Sequence, residues 1–312
     1  MNPLLRLVLW RLGAAIAVLL GTLATTFFAL MFSGGDPAQA ILGTEESAVS
    51  KEVLDQIRHE YGLDLPVHQQ FWNYVVRLSH GDLGESYLLR VPVKRAIGDQ
   101  IGATIELALW AGGSALLLSI AVAVLTAKRK PWVAALSSGT ERTLSSIPSF
   151  VLGLFLLLVF SFQLKILPAV GQQGWKSMIL PVVTLAVPTA AVLTQVLRSE
   201  LEDILEQPFI VMARARGLTE AGVRLGHALR HTLIPLITLS GFVFASLLGG
   251  AVLAENLFAR QGIGRLISEA ANGKDVPMVL GITLLAAATY LVINLLVDLL
   301  NAIIDPRIAA RS

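Results

Sequence analysis

The chain predicts an all-α polytopic membrane protein with six transmembrane helices, and three features of the sequence carry that expectation. Hydrophobic residues fill 54% of its 312 positions and charged residues only 15%, whereas a soluble domain carries about a quarter charged residues. The charges cluster, leaving six apolar runs: Leu7–Phe32, Ile105–Ala127, Leu144–Leu164, Ile179–Leu197, Leu233–Leu253 and Val279–Ala302. Each is long enough to cross about 30 Å of hydrocarbon. The third feature is the unequal placement of basic residues between the two sets of connections.

Thirteen basic residues fall on one side: Arg6, Arg11, Lys128, Arg129, Lys130, Arg142, Arg198, Arg214, Arg216, Arg224, Arg230, Arg307 and Arg311. The short loops opposite hold five, Lys165, Lys176, Arg260, Arg265 and Lys274. The other six lie in Ser33–Thr104, a loop too long for the positive-inside bias to act on. Both termini and the connection from Arg198 to His231 are therefore expected in the cytoplasm. A pI near 9.0 would also suit nucleic acid, but this placement of charge points to membrane topology instead. The chain has no cysteine, which excludes disulfides, a thiolate nucleophile and cysteine–metal sites.

The first run is followed by Ala38-Gln39-Ala40, which superficially resembles a signal-peptidase site. The run is longer than a typical signal-peptide core, so the reading is an uncleaved first span. The external loop after it carries ten acidic residues. Val49, Val53, Leu54 and Ile57 have helical spacing within Ala48–Tyr61. Pro66 opens a second amphipathic stretch with Phe71, Trp72, Tyr74, Val75 and Leu78, broken at Gly81-Asp82-Leu83-Gly84. These aromatics suit a membrane interface or a docking surface; a small lid over exposed helix ends fits equally. Two shorter external loops follow later, Lys165–Met178 and Ala254–Val276, the second with a short helix expected at Leu266–Ala271. No internal repeat stands out.

Gly112, Gly113, Gly153, Gly241, Gly249, Gly250 and Gly281 lie inside the spans, where small residues let helix backbones approach in lipid. Packing is the default reading for them. Gly249, Gly250 and Pro188 could instead mark mobile points along a pathway.

The Arg198–His231 connection carries its own helix start and stop signals. Pro208 suits a first helical position, and the stretch to Arg216 is rich in good helix formers. Gly217 fits a helix C-terminus in left-handed conformation. Thr219 can cap a second helix and Glu220 complement its dipole. Two short helices joined at Gly217-Leu218 are expected along the cytoplasmic surface. A short helix laid in a partner's groove and an interfacial helix resting on headgroups are both compatible with these residues.

No G-x-x-x-x-G-K-[ST] loop is present: Gly273-Lys274 is followed by Asp275, and residue 268 is serine. His227 and His231 are four apart, but no cysteine, further histidine or well-placed carboxylate completes a metal site. His59, His68 and His80 lack ligand spacing. Catalytic and metal-binding residues are thus expected to be absent. Glu106 and Asp298 are the charges nearest to membrane depth and so functional suspects; their closeness to span ends favours pairing or snorkelling.

Taken in order, the motifs resemble the permease of a bacterial ABC importer, of the dipeptide, oligopeptide and nickel branch. Gly35-Asp36-Pro37-Ala38, Tyr61-Gly62-Leu63-Asp64-Leu65-Pro66 and Gly81-Asp82-Leu83-Gly84-Glu85-Ser86-Tyr87 are similar to that branch's N-terminal motifs. Ala103 to Ala108, Ile147-Pro148-Ser149-Phe150 and Ile179-Leu180-Pro181 match further positions. Ala213-Arg214-Ala215-Arg216-Gly217-Leu218 resembles the core of its EAA loop, continued by His227 to Arg230 and Pro235. Glu255 to Phe258, Gly262 to Leu266, Asn294 to Leu300 and Asp305-Pro306-Arg307 complete the series. Val211-Met212, Pro208-Phe209-Ile210 and Arg260-Gln261 depart from the family's usual residues, the last replacing a common Trp-Pro.

The resemblance implies a type I ABC importer permease fold with an external loop subdomain. The first helix would occupy 1–32, the subdomain 33–104, and a five-helix core 105–304 with its coupling loop at 198–231; a cytoplasmic tail, 305–312, would follow. It implies that Met212, Ala213, Arg214, Ala215, Arg216, Gly217, Leu218 and Thr219 contact a cytoplasmic ATPase, which would hold ATP and magnesium; this chain would bind no cofactor. It also implies a second homologous permease, an extracytoplasmic substrate-binding protein and the inner membrane as partners. Peptides are the expected cargo, with nickel or a metal chelate as the alternative. A self-sufficient carrier or channel would instead need buried ionisable residues and an inverted repeat.

Overall fold

In lipid every backbone N–H and C=O must be satisfied within the segment, so long apolar runs fold as helices. The computed structural model describes residues 3–34, 36–42, 50–172 and 174–304, with the backbone alone for 3–12, 40, 233, 234, 302 and 304. Gly35, Ala48, Val49 and the tail 305–312, with Arg307 and Arg311, lie outside the described residues, as do the side chains of Arg6 and Arg11. In chain order the α-helices are α1 (Pro3–Phe32), α2 (Pro37–Leu42), α3 (Lys51–Glu60), α4 (Val67–Ser79), α5 (Val93–Thr126), α6 (Pro131–Ser146), α7 (Ser149–Leu156) and α8 (Lys176–Leu205). They continue with α9 (Pro208–Ala215), α10 (Leu229–His231), α11 (Leu233–Leu257), α12 (Ile263–Asn272) and α13 (Val276–Ile304). Two π-helical stretches, Leu157–Gln163 and Gly222–Ala228, follow α7 and precede α10.

Five of these helices are long and apolar enough to cross a membrane, with segments at Gly13–Phe32, Val93–Thr126, Lys176–Leu205, Pro235–Leu257 and Val276–Asn301. The expected third span, Leu144–Leu164, is not one straight helix. The segment is a pair, Pro131–Ser146 and Ser149–Gln163, bent by 96°. Pro148 is the cause: it lacks an N–H and forces Ile147 into extended backbone, at φ −78° and ψ 121°. Lys128 to Arg142, expected as a connection, is largely α6, with Pro131 in its first turn.

Two further boundaries move. α5 starts at Val93, twelve residues before the expected span. α8 runs to Leu205, so Arg198–Leu205 is helix and not loop. Leu197, Leu201 and Leu205 form a buried stripe at four-residue spacing, and the charges of Glu200, Glu202 and Asp203 leave that face free to pack.

The chain divides into two compact units, one of residues 1–102 with 262–291 and one of 103–261 with 292–312. In the first, Val93, Ile97, Leu266, Ala270, Met278 and Ile282 pack together, and Leu23, Phe27, Tyr74, Val276 and Leu280 form a second cluster. Asp275 caps α13, its Oδ1 accepting the Met278 N–H at 3.2 Å, while Oδ2 accepts the Ser86 hydroxyl and the Leu88 N–H. Asp36 accepts two N–H groups of Arg58, at 2.6 and 3.1 Å. The N-terminal motifs thus hold this unit's loops. His59 lines a cavity of about 520 Å³ in this unit, and its Nδ1 lies 3.0 Å from Asp64, which raises the imidazole's pKa above its ordinary value.

In the second unit the core joins Leu107, Ala111, Ala115, Leu180, Leu193, Leu247, Ala251 and Phe258. Here Gly112 and Gly241 act as packing residues: a Cβ on Gly112 would lie 2.4 Å from Phe244, and one on Gly241 2.2 Å from Val297. One ion pair is buried between α6 and α8. Arg198 donates to Glu141 at 2.9 Å and to the Ser138 hydroxyl at 2.8 Å, and Ser137 donates to the same carboxylate.

Candidate coupling and translocation site

α9 begins on Pro208 and buries Ile210 and Ala213 against Leu201, Leu205, Val223 and Ala228. Its other face leaves Phe209, Val211 and Met212 exposed, and Leu218 is exposed beyond its end. Arg214, Ala215, Arg216, Gly217 and Thr219 are exposed as well. The helix closes in a Schellman turn: Gly217 N–H donates to Arg214 O at 2.9 Å and Leu218 N–H to Ala213 O at 3.4 Å. Gly217 has φ +83°, the left-handed region expected there. Thr219 Oγ1 accepts the Gly222 N–H at 3.2 Å, the expected cap. The second helix then starts at Glu220 but widens into the π-helical stretch.

Glu220 does more than complement a dipole. Its Oε1 accepts Arg214 Nε at 2.7 Å and its Oε2 lies 3.6 Å from Arg224 Nε. The Arg214 hydrogen bond holds its carboxyl below the usual range. Arg224 is buried, and that burial lowers its pKa. Its Nη1 donates to Val124 O at 2.8 Å and Ala127 O at 2.6 Å. These are terminal carbonyls of α5 without helical partners. Lys128 also pairs with Glu206. The hairpin is thereby fastened to the end of α5, whose own end is tied to that of α8. Sequence reading counted Arg224 only as a topological charge; its place four residues after Glu220 was the available signal.

The three candidate pathway residues differ in their surroundings. A Cβ on Gly250 would meet Leu185 of α8 at 3.0 Å, a packing contact, while Gly249 has open space at that position. Pro188 sits inside α8 one turn after Leu185, and like Pro181 it leaves a carbonyl four residues back without its N–H. Glu106 pairs as expected, with a residue the sequence marks as an external-loop charge and a departure from the family pattern: Arg260 Nη2 is 3.8 Å from its carboxylate. Glu255 is buried and accepts the Thr104 hydroxyl at 2.6 Å. His227 lies 3.4 Å from Gly222 O, and His231 packs on Phe209.

Residues 115–310 match the family of binding-protein-dependent transport system inner membrane components, and residues 4–108 match its N-terminal membrane component. The chain belongs to this family. The permease is similar to the glutathione transport system permease protein GsiC of Salmonella typhimurium, with 36% identity over 98% of this chain and 99% of that protein. It is 35% identical, with the same coverage, to GsiC of Escherichia coli K12. An inward-facing structure of the MetNI methionine ABC transporter superposes with TM-score 0.53 at 16% identity, covering 68% of this permease and 97% of that chain. That likeness shows the fold, which is that of a type I ABC importer permease. The protein is a multi-pass inner-membrane permease subunit of an ABC importer, a class that works with ATPase and substrate-binding partners.

Proposed function

We propose that this permease carries peptide-like solutes of glutathione's kind, driven by ATP hydrolysis on a partner subunit that seats α9 and Gly217-Leu218-Thr219 in a groove. Similarity to GsiC along 98% of the chain carries the substrate reading. The exposed Phe209, Val211, Met212 and Leu218 support the groove. Burying three or four such side chains, at about 1.5–3 kcal/mol each, is worth on the order of 5 kcal/mol. Arg224, tying the hairpin to α5, would transmit the movement. ATP and magnesium then belong to the ATPase, and this chain is non-catalytic. A second homologous permease would form the other half of the pathway, with the binding protein outside and both termini in the cytoplasm.

Reconstituted with its ATPase and binding protein, the permease should accumulate labelled glutathione or a tripeptide only with ATP inside; no uptake of any peptide would overturn the substrate reading. Thr219→Cys, in a chain without native cysteine, should react with a membrane-impermeant maleimide only from the cytoplasmic side. Labelling of intact cells from outside would overturn the topology.

A further inference from the structure

Arg260 is a buried charge of the second unit that its neighbours satisfy incompletely. Its side chain is only 3% exposed, and Glu106, 57% exposed, lies 3.8 Å away, beyond hydrogen-bond reach. Its Nε has no hydrogen-bond partner among the described residues. Removing a cation from water costs several kcal/mol unless its donors are filled, and burial lowers this guanidinium's pKa. Yet Arg260 is not sealed in a core. With Glu106 it lines a cavity of about 770 Å³, together with Gln172, Ser177, Trp110 and Trp175. That volume suits a small-molecule site, and so does the wall of aromatic surface with a few convergent polar groups.

We propose that this cavity binds an α-amino-acid head group, its carboxylate on Arg260 and its adjacent ammonium on Glu106. A guanidinium fork matches a carboxylate through two parallel N–H donors, which would fill the donor left open at Nε. A half-exposed carboxylate beside it supplies the opposite charge at the short separation that a single α-carbon imposes. A linear peptide keeps its ammonium and carboxylate at opposite ends; a γ-glutamyl peptide carries both on one carbon. The site therefore selects γ-glutamyl peptides inside the permease, apart from any selection by a binding protein. This inference rests on the peptide-like substrate class proposed above and narrows it.

The test is a titration of tryptophan fluorescence on the purified permease–ATPase complex, without binding protein or nucleotide. The probes are S-methylglutathione and its α-glutamyl-linked isomer. S-Methylglutathione should titrate at least tenfold more tightly than the isomer. Arg260→Gln and Arg260→Lys should each weaken it about tenfold or more, the second because it keeps the charge but loses the fork. Glu106→Gln changes a half-exposed residue, so the complex should assemble normally while the preference between isomers collapses. Equal binding of the two isomers to the wild type, or a preference unchanged by Glu106→Gln in an intact complex, overturns the proposal. If wild-type vesicles take up neither peptide, the substrate reading fails; if they take up both while the preference is missing, only the head-group site fails.

Discussion

Gly217→Pro should cut coupled uptake at least tenfold while the complex still inserts, assembles and hydrolyses ATP. Proline fixes φ near −65°, whereas Gly217 sits at +83°. It also deletes the N–H that donates to Arg214 O at 2.9 Å. The Schellman turn is lost, and α9 no longer points where the second helix and Arg224 hold it. Gly217→Ala separates geometry from bulk. A Cβ there meets open space, so its cost is the left-handed backbone alone, roughly 1–2 kcal/mol, and most transport should survive. Uptake and ATPase stimulation measured on both variants decide the matter; normal coupling in Gly217→Pro would remove the hairpin from the drive mechanism.

Arg198→Ala should be the most destabilising exchange in the second unit. Glu141 has a side chain only 5% exposed and Arg198 one 12% exposed, so removing the arginine leaves a buried carboxylate without its counter-charge. Breaking a buried pair in this way costs about 3–5 kcal/mol. The hydroxyls of Ser137 and Ser138 remain nearby, but neither carries charge. Glu141→Ala with Arg198→Ala removes both ions and should recover much of the loss. Thermal denaturation of the purified complex followed by size exclusion reads this directly. A single variant as stable as wild type would show that the pair contributes nothing to holding α6 on α8.

The hairpin was legible because its determinants are local. Pro208, Gly217 and Thr219 act through their own backbone or through groups within three residues, so a helix start, a left-handed stop and a new cap could be placed from the sequence. The bent pair was not placed, although Pro148 was in view, because hydropathy averages over a window and does not register direction. The continuation of α8 past Arg198 was missed for a similar reason. Four charges after Leu197 look like a loop until Leu201 and Leu205 are seen to keep one face buried.

By itself the sequence determined the class of protein, the number and approximate extent of apolar runs, and the turn at Gly217, since each follows from composition or short-range backbone preference. The tertiary structure alone decided which charges are buried and what they hold. Glu141 meets Arg198 57 residues away, Arg224 reaches Ala127 97 residues back, and Thr104 bonds Glu255 across 151. A charge's partner in space is set by how helices pack, and no spacing along the chain encodes it. The Arg198–His231 connection is thereby divided in two: its first turns complete α8, and its remainder is a hairpin whose exposed apolar face is free for a partner while a buried arginine ties it to α5.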